Sequence, residues 1–282
     1  MSNVKEILAK VGNLPPMPAV VQQVMGMMQD PNFSFAKLME TIRLDPGITA
    51  HVLRICNSPF YGLRQEVTSL HQAMVLMGSS QLMEILLSRE MVGHFQRGQE
   101  GYRLAKGELW RHSMACALLV QRLGQRVGFT DEGALFTSAL MHDVGKLVLS
   151  EFVSKSFAQI EQLVEQGMSF VAAERQVLGV DHALLGAALA RQWNFPEVIV
   201  GAIAFHHAPD RAPRDRQLTH LVALANLLCV SLGVGPSAEG LATPAPATMF
   251  KEVGLKTRDL DMLLLELKDI LDQAEYLLDL AS

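Results

Sequence analysis

The sequence predicts an all-α protein. Two observations carry the prediction: nearly every segment places apolar residues at helical spacing, and no β-branched or aromatic run with a two-residue repeat is bounded by hairpin turns. Bulk composition fits an ordinary globular chain. With 282 residues and 49% hydrophobic side chains, it can bury one large core or two modest ones.

The elements follow in order from their punctuation. LPPMPAV favours an extended entry through its prolines. Asp45-Pro46 sets a capping side chain before a proline at the first helical position, and Asn57-Ser58-Pro59 stops the helix that contains HVLRIC. Ser69 with Gln72 forms a capping box, and Gly78 ends the AMVLM stretch that follows. A longer helix runs from about Glu108 through LWRHSMACALLVQRLGQRV to Gly128. ALMHDVGKLVL, residues 139–149, reads as an apolar helical run, and PEVIVGAIAF as a helix ending at His206-His207.

These marks divide the chain into an N-terminal helical subdomain over 1–106, a helical core over 107–234, a loop or linker over 235–256, and an acidic amphipathic helix over 257–282. In the last piece Leu260, Leu263, Leu264, Leu267, Ile270, Leu271, Leu277 and Leu278 share one broad face. That face must pack on the body or on a partner.

Charge and composition exclude several classes. The net charge of -5 sits in the tail, where residues 257–282 hold seven acidic and two basic side chains, leaving 22 of each sign elsewhere. No basic stripe exists to neutralise a phosphate backbone, and Arg211, Arg214 and Arg216 read as a solvated loop, so nucleic acid is not an expected partner. The start, MSNVKEILAKVGNLPP, lacks a signal-peptide pattern and reads as the native start of a soluble chain. The run LVALANLLCVSLGVG is too short to span a bilayer and contains Asn226, so no membrane association and a cytoplasmic location are expected. Cys56, Cys116 and Cys229 are odd in number and far apart, which predicts buried thiols in a reducing compartment.

Histidines carry the functional signal. His142 and Asp143 are read as neighbours on one helix, their side chains diverging by about 100°. His112 shares an inward stripe with Ala115, Cys116 and Leu119, and His182 shares a face with Gly186 and Ala190, small residues that admit a neighbouring helix. His206-His207 stand where a helix ends. Any one of these alone is more simply a capping or packed histidine. Five histidines and an aspartate over successive helices point to a metal centre, because ligands must converge in a shielded place while their backbones stay hydrogen-bonded. His51, His71, His94 and His220 are assigned structural roles.

The order His112, then His142-Asp143 within HDVGK, then VDHALLGA around His182, then His206-His207 resembles the HD phosphohydrolase superfamily. NLPPMPAV, IRLDPGITAHVLRICNSPFYG, SLHQAMVLMG and LWRHS resemble, within it, the HDOD family of bacterial signalling proteins, over roughly residues 12 to 230. The resemblance implies an HD-type helical bundle preceded by a smaller N-terminal helical subdomain. It implies one metal position of His112, His142, Asp143 and a closing carboxylate, and a second that shares Asp143 and adds His182, His206 and His207. Asn226 stands where the closing carboxylate belongs, which removes an anionic ligand.

Lys146 resembles the lysine of the superfamily's HDxGK motif, which faces substrate phosphate; the alternative is a helix C-terminal lysine reaching solvent. The expected cofactor, if any, is a divalent metal: iron, manganese, nickel, magnesium or zinc. The expected function is a non-catalytic output or regulatory module of bacterial signal transduction, binding a signalling protein partner or a small ligand. The alternative is a metal-dependent phosphohydrolase acting on a nucleotide or cyclic dinucleotide.

Overall fold

The computed structural model describes residues 46–59, 61–63, 65–235 and 247–281. LPPMPAV, Asp45 and the linker residues 236–246 lie outside the described residues. Among the described residues the chain is helical with no strand, in agreement with the all-α expectation. The helices are α1 (Pro46–Cys56), α2 (Leu70–Phe95), α3 (Glu108–Val127), α4 (Glu132–Met141), α5 (Lys146–Glu165), α6 (Phe170–Leu178), α7 (His182–Gln192), α8 (Glu197–Phe205), α9 (Arg216–Ser231), α10 (Ala247–Val253) and α11 (Thr257–Ala281). Short 3₁₀ turns cover Glu100–Tyr102 and Pro209–Arg211.

Local chemistry sets these limits much as the sequence suggests. α1 ends at Cys56, and the Asn57 side chain then clamps the next segment, its Nδ2–H donating to Val67 O at 2.8 Å and its Oδ1 accepting from Val67 N–H at 2.7 Å. Ser69 caps α2 by accepting from Gln72 N–H, but the reciprocal arm of the box lands one residue early, on Thr68 N–H. Gly78, with φ 82°, kinks α2 between its two halves. Gly128, with φ 70°, closes α3 as a left-handed cap. The expected loop over 235–256 departs from a plain linker, because α10 forms inside it and packs on α9.

α3 is the central post. From Leu109 to Gly124 most of its side chains are buried, and α2, α4, α9 and α11 pack around it. The stretch 139–149 is not one helix. α4 stops at Met141, His142 is its C-cap, and Lys146 is the first residue of α5. Between them Val144 N–H donates to Met141 O at 3.0 Å and Lys146 N–H to Asp143 O at 2.9 Å, a tight double turn. Gly145 makes the turn fit. A Cβ there would lie 1.9 Å from His182 O, so the turn rests directly on the start of α7. A Cβ on Gly186, one turn along α7, already comes within 3.1 Å of Gly145 N, which is the close approach that its small size predicts.

Candidate metal centre

Four stretches of the chain bring these side chains to one point. α3 supplies His112, the α4–α5 turn supplies His142 and Asp143, the first residue of α7 is His182, and His206-His207 follow α8. His112, His142, Asp143 and His182 are fully buried, His206 is 2% exposed and His207 is half-buried. Asp143 is the hub. Its Oδ2 lies 3.4 Å from His112 Nε2 and 3.3 Å from His142 Nε2, and its Oδ1 lies 3.4 Å from His182 Nε2 and 3.8 Å from His206 Nε2. His207 joins through His182, their Nε2 atoms 3.0 Å apart.

The far side of each ring fixes which nitrogen faces inward. His112 Nδ1 is 2.8 Å from Val234 O, His142 Nδ1 is 2.7 Å from Ala139 O, and His206 Nδ1 is 2.8 Å from Ile203 O. A carbonyl oxygen only accepts, so each ring carries a proton on Nδ1. His182 does the same with a carboxylate, Nδ1 lying 2.8 Å from Glu174 Oε2. In the form in which these four rings are neutral, their Nε2 lone pairs are turned into the cluster around Asp143. This is how metal-ligating histidines are held, with the outer N–H tied to an acceptor that orients the ring and raises its basicity.

Such a centre is short of donors. His142 Nε2, His206 Nε2 and Asp143 Oδ1 are buried without a hydrogen-bond partner, each a group whose burial is costly unless a cation or donor answers it. Among the described residues Lys146 provides a cation. Lys146, also fully buried, donates from Nζ to Asp143 Oδ2 at 2.6 Å, with Nζ 5.4 Å from the Tyr102 ring centroid. Lys146 therefore does not reach solvent as a lysine at a helix C-terminus would; it begins α5 and its ammonium is bonded to the hub. Burial alone would raise the Asp143 carboxyl, but a proton taken up on the His142 or His112 ring and the Lys146 ammonium each favour the ionised form, and together they hold it well below the usual range. Burial, with the charges of neighbouring histidines, holds His206 and His207 well below the ordinary imidazole value.

Among the described residues three groups of side chains could hold a metal ion: His142, Asp143 and His206; His182, His206 and His207; and His112, Cys116 and His142. The first two are drawn from the residues the sequence singled out. Cys116 is the less suited donor. Its sulfur is 3.9 Å from His112 Nδ1 and 3.8 Å from Nε2, so it lies beside the ring and off the Nε2 lone-pair axis. Burial and the neighbouring Cys229 push its thiol up, as for a packed side chain. All three cysteines are buried and free, as the sequence suggests.

Asn226 sits on α9, which packs against α3; it is 6% exposed, and its Oδ1 has no hydrogen-bond partner. Three residues packed around these rings escaped sequence reasoning. Glu174 is fully buried on α6, accepting from His182 N–H and Nδ1–H on one oxygen and from the Tyr102 hydroxyl at 2.5 Å on the other. In AAERQ it looks like any helix-surface acid, and only the tertiary fold turns it inward. Val234-Gly235 close the His112 side, where a Cβ on Gly235 would lie 2.6 Å from the ring. His220 holds a structural post, bonding Arg216 O and Asp210 Oδ1 through its two nitrogens, and His51 pairs with Arg54.

The model of the HDOD domain matches residues 14–209. An HDOD domain protein of Geobacter sulfurreducens is 24% identical with a TM-score of 0.81, the match covering 98% of this chain and 97% of that one. A candidate phosphohydrolase of Shewanella amazonensis SB2B is 25% identical with a TM-score of 0.74, covering 98% of both chains. A protein of Treponema pallidum (strain Nichols) is 22% identical over 223 residues, which are 78% of this chain; the match spans only 43% of that relative's length. No described helix is long and apolar enough to cross a membrane. With the family match covering more than half of the chain and the superposition nearly all of it, the chain belongs to the HDOD domain family.

Proposed function

We propose that the chain is a regulatory HDOD module that acts by binding a partner protein or small ligand, its histidine centre holding the helices in register and carrying out no hydrolysis. The observation that carries this reading is the Lys146–Asp143 pair at 2.6 Å. The ammonium sits on Asp143 Oδ2 and competes with a metal ion for that oxygen. Closure of the centre adds support, since His112, His142, Asp143, Lys146 and His182 all have 0% exposure and a phosphodiester cannot reach them without helix movement. By the family resemblance Asn226 stands in place of the closing carboxylate, which supports the same reading.

The second reading, a metal-dependent phosphohydrolase, is favoured by the four inward Nε2 atoms and the unpartnered Asp143 Oδ1. The name of the Shewanella relative belongs to this reading. Here His142, Asp143, His182, His206 and His207 would hold the ion, and Glu174 would keep His182 in its ligating tautomer. The nitrogen-rich donor set suits iron, nickel or zinc better than magnesium. A bound divalent ion would supply Lewis-acid polarisation of a phosphoryl oxygen.

Metal analysis of the purified chain, followed by a bis(p-nitrophenyl) phosphate assay with added manganese or iron, separates the two. The regulatory reading expects no turnover above buffer. Turnover that disappears in both His142→Ala and Asp143→Ala overturns it.

A further inference from the structure

A second site lies away from the histidines. A cavity of about 290 Å³ opens where α2, α3, α4 and α11 meet, beside Tyr61 of the α1–α2 connection. It would hold about ten waters at bulk density and falls at the small end of organic ligand sites. It shares no residue with the histidine centre.

Its floor carries an unanswered acid. Glu84 is 8% exposed; its Oε1 accepts from Gln121 Nε2 at 2.9 Å, and its other oxygen has no hydrogen-bond partner among the described residues. Tyr61 and Phe136 add aromatic rings to the lining, and Arg122 and Glu132 stand exposed at the rim. With Glu84 ionised the lining has two negative groups against one positive. An anion would meet both acids with only a solvated arginine to offset them, whereas a cation would meet the Glu84 carboxylate.

We propose that this cavity is a binding site for a small organic monocation, an amine or guanidine of up to about a dozen non-hydrogen atoms, whose N–H groups pair with Glu84. The lining draws on the N-terminal helices, the core and the C-terminal helix. Occupancy therefore ties all three regions together, and the ligand acts as a regulator of their packing. Burial, with the charge of Glu132 adding and the Gln121 hydrogen bond opposing, pushes the Glu84 carboxyl up to about 8, so at neutral pH it carries a proton in the empty site. Binding a cation ionises it and releases that proton to the buffer.

Isothermal titration calorimetry of the full chain at pH 7.5 tests this, with phenethylamine and butylguanidine as probes and butyrate and glucose as controls. The expected result is saturable binding of at least one probe at millimolar affinity or better, with proton release seen as a buffer-dependent enthalpy. Glu84→Gln is expected to weaken it tenfold or more. Arg122→Ala is expected to leave it equal or a few-fold tighter, whereas an anion site would lose affinity. No saturable binding of either probe to the wild-type chain, unchanged binding by Glu84→Gln, or equal binding of butyrate overturns the proposal. The wild-type titration decides the matter even if a variant fails to fold.

Discussion

Lys146 and Asp143 show how far one residue's context can shift its meaning. In sequence the pair is visible as HDVGK, and the aspartate's place in a histidine cluster was legible from type and order alone. The lysine's role was not, because 139–149 keeps apolar helical spacing straight through the break at His142, and only the turn swings Nζ onto the carboxylate. Removing one partner of a buried ion pair leaves the other uncompensated, at about 3–5 kcal/mol. Lys146→Met should therefore cost about that much stability in urea denaturation with chelator present, and added manganese or zinc should restore most of it. A chelated variant as stable as wild type would show that Asp143 does not depend on the lysine. Glu84 gives a pH signature. Its folded value of about 8 lies above the ordinary glutamate value of 4.5, so the native state holds a proton that the unfolded chain has released over that window. The contribution of Glu84 to stability falls as pH rises from 4.5 through 8 and levels off above. Glu84→Gln should flatten this slope and stabilise the chain by about 3 kcal/mol at pH 8.5, while changing little at pH 4. A variant that is no more stable than wild type at pH 8.5 would remove the raised acid.

At the level of elements, helix starts and stops marked by Asn57, Ser69, Gly78 and Gly128 were legible because each residue acts through local backbone chemistry. The α4–α5 turn was not. Gly145 there has a right-handed φ of −63°, so no conformational demand betrays it; its necessity comes from a neighbour 37 residues away in the chain, the carbonyl of His182. The contact is backbone against backbone, and no side chain can rotate to relieve it. Gly145→Ala should therefore push α7 away from the turn, costing more than about 3 kcal/mol and displacing His182 from Asp143. Gly133→Ala serves as the control. Its nearest atom is Asp131 Oδ1 at 4.0 Å, and in the first turn of α4 alanine should be neutral or stabilising by up to about 1 kcal/mol. Thermal melts of the two variants side by side check the contrast, and equal melting points would mean that α7 accommodates the methyl group.

Over the whole molecule the acidic C-terminal helix decides whether the fold is one body. Spacing predicted its apolar stripe but not its partner, since periodicity says which face is buried and nothing about what buries it. In the structure Leu263, Leu267, Ile270, Ala274 and Leu277 are buried as α11 lies along α3 and touches α1 and α2. Arg126 with Glu266 at 2.8 Å and Arg111 with Glu275 at 3.5 Å frame the seam, though such partly exposed pairs add little. Four large aliphatic side chains at roughly 1.5–3 kcal/mol each amount to a sizeable part of a domain's usual margin of about 5–15 kcal/mol. A chain ending at Gly254 would also expose the α3 side chains that they cover and lose Gln273 and Leu277 from the second cavity. That truncation should be aggregated or much less stable by size-exclusion chromatography and thermal circular dichroism. It should also fail to bind amine probes even under conditions where it stays soluble. A truncated chain that elutes as the full one does, melts within a few degrees of it and still binds would show that α11 is an appendage, and that its leucine face serves something other than this core.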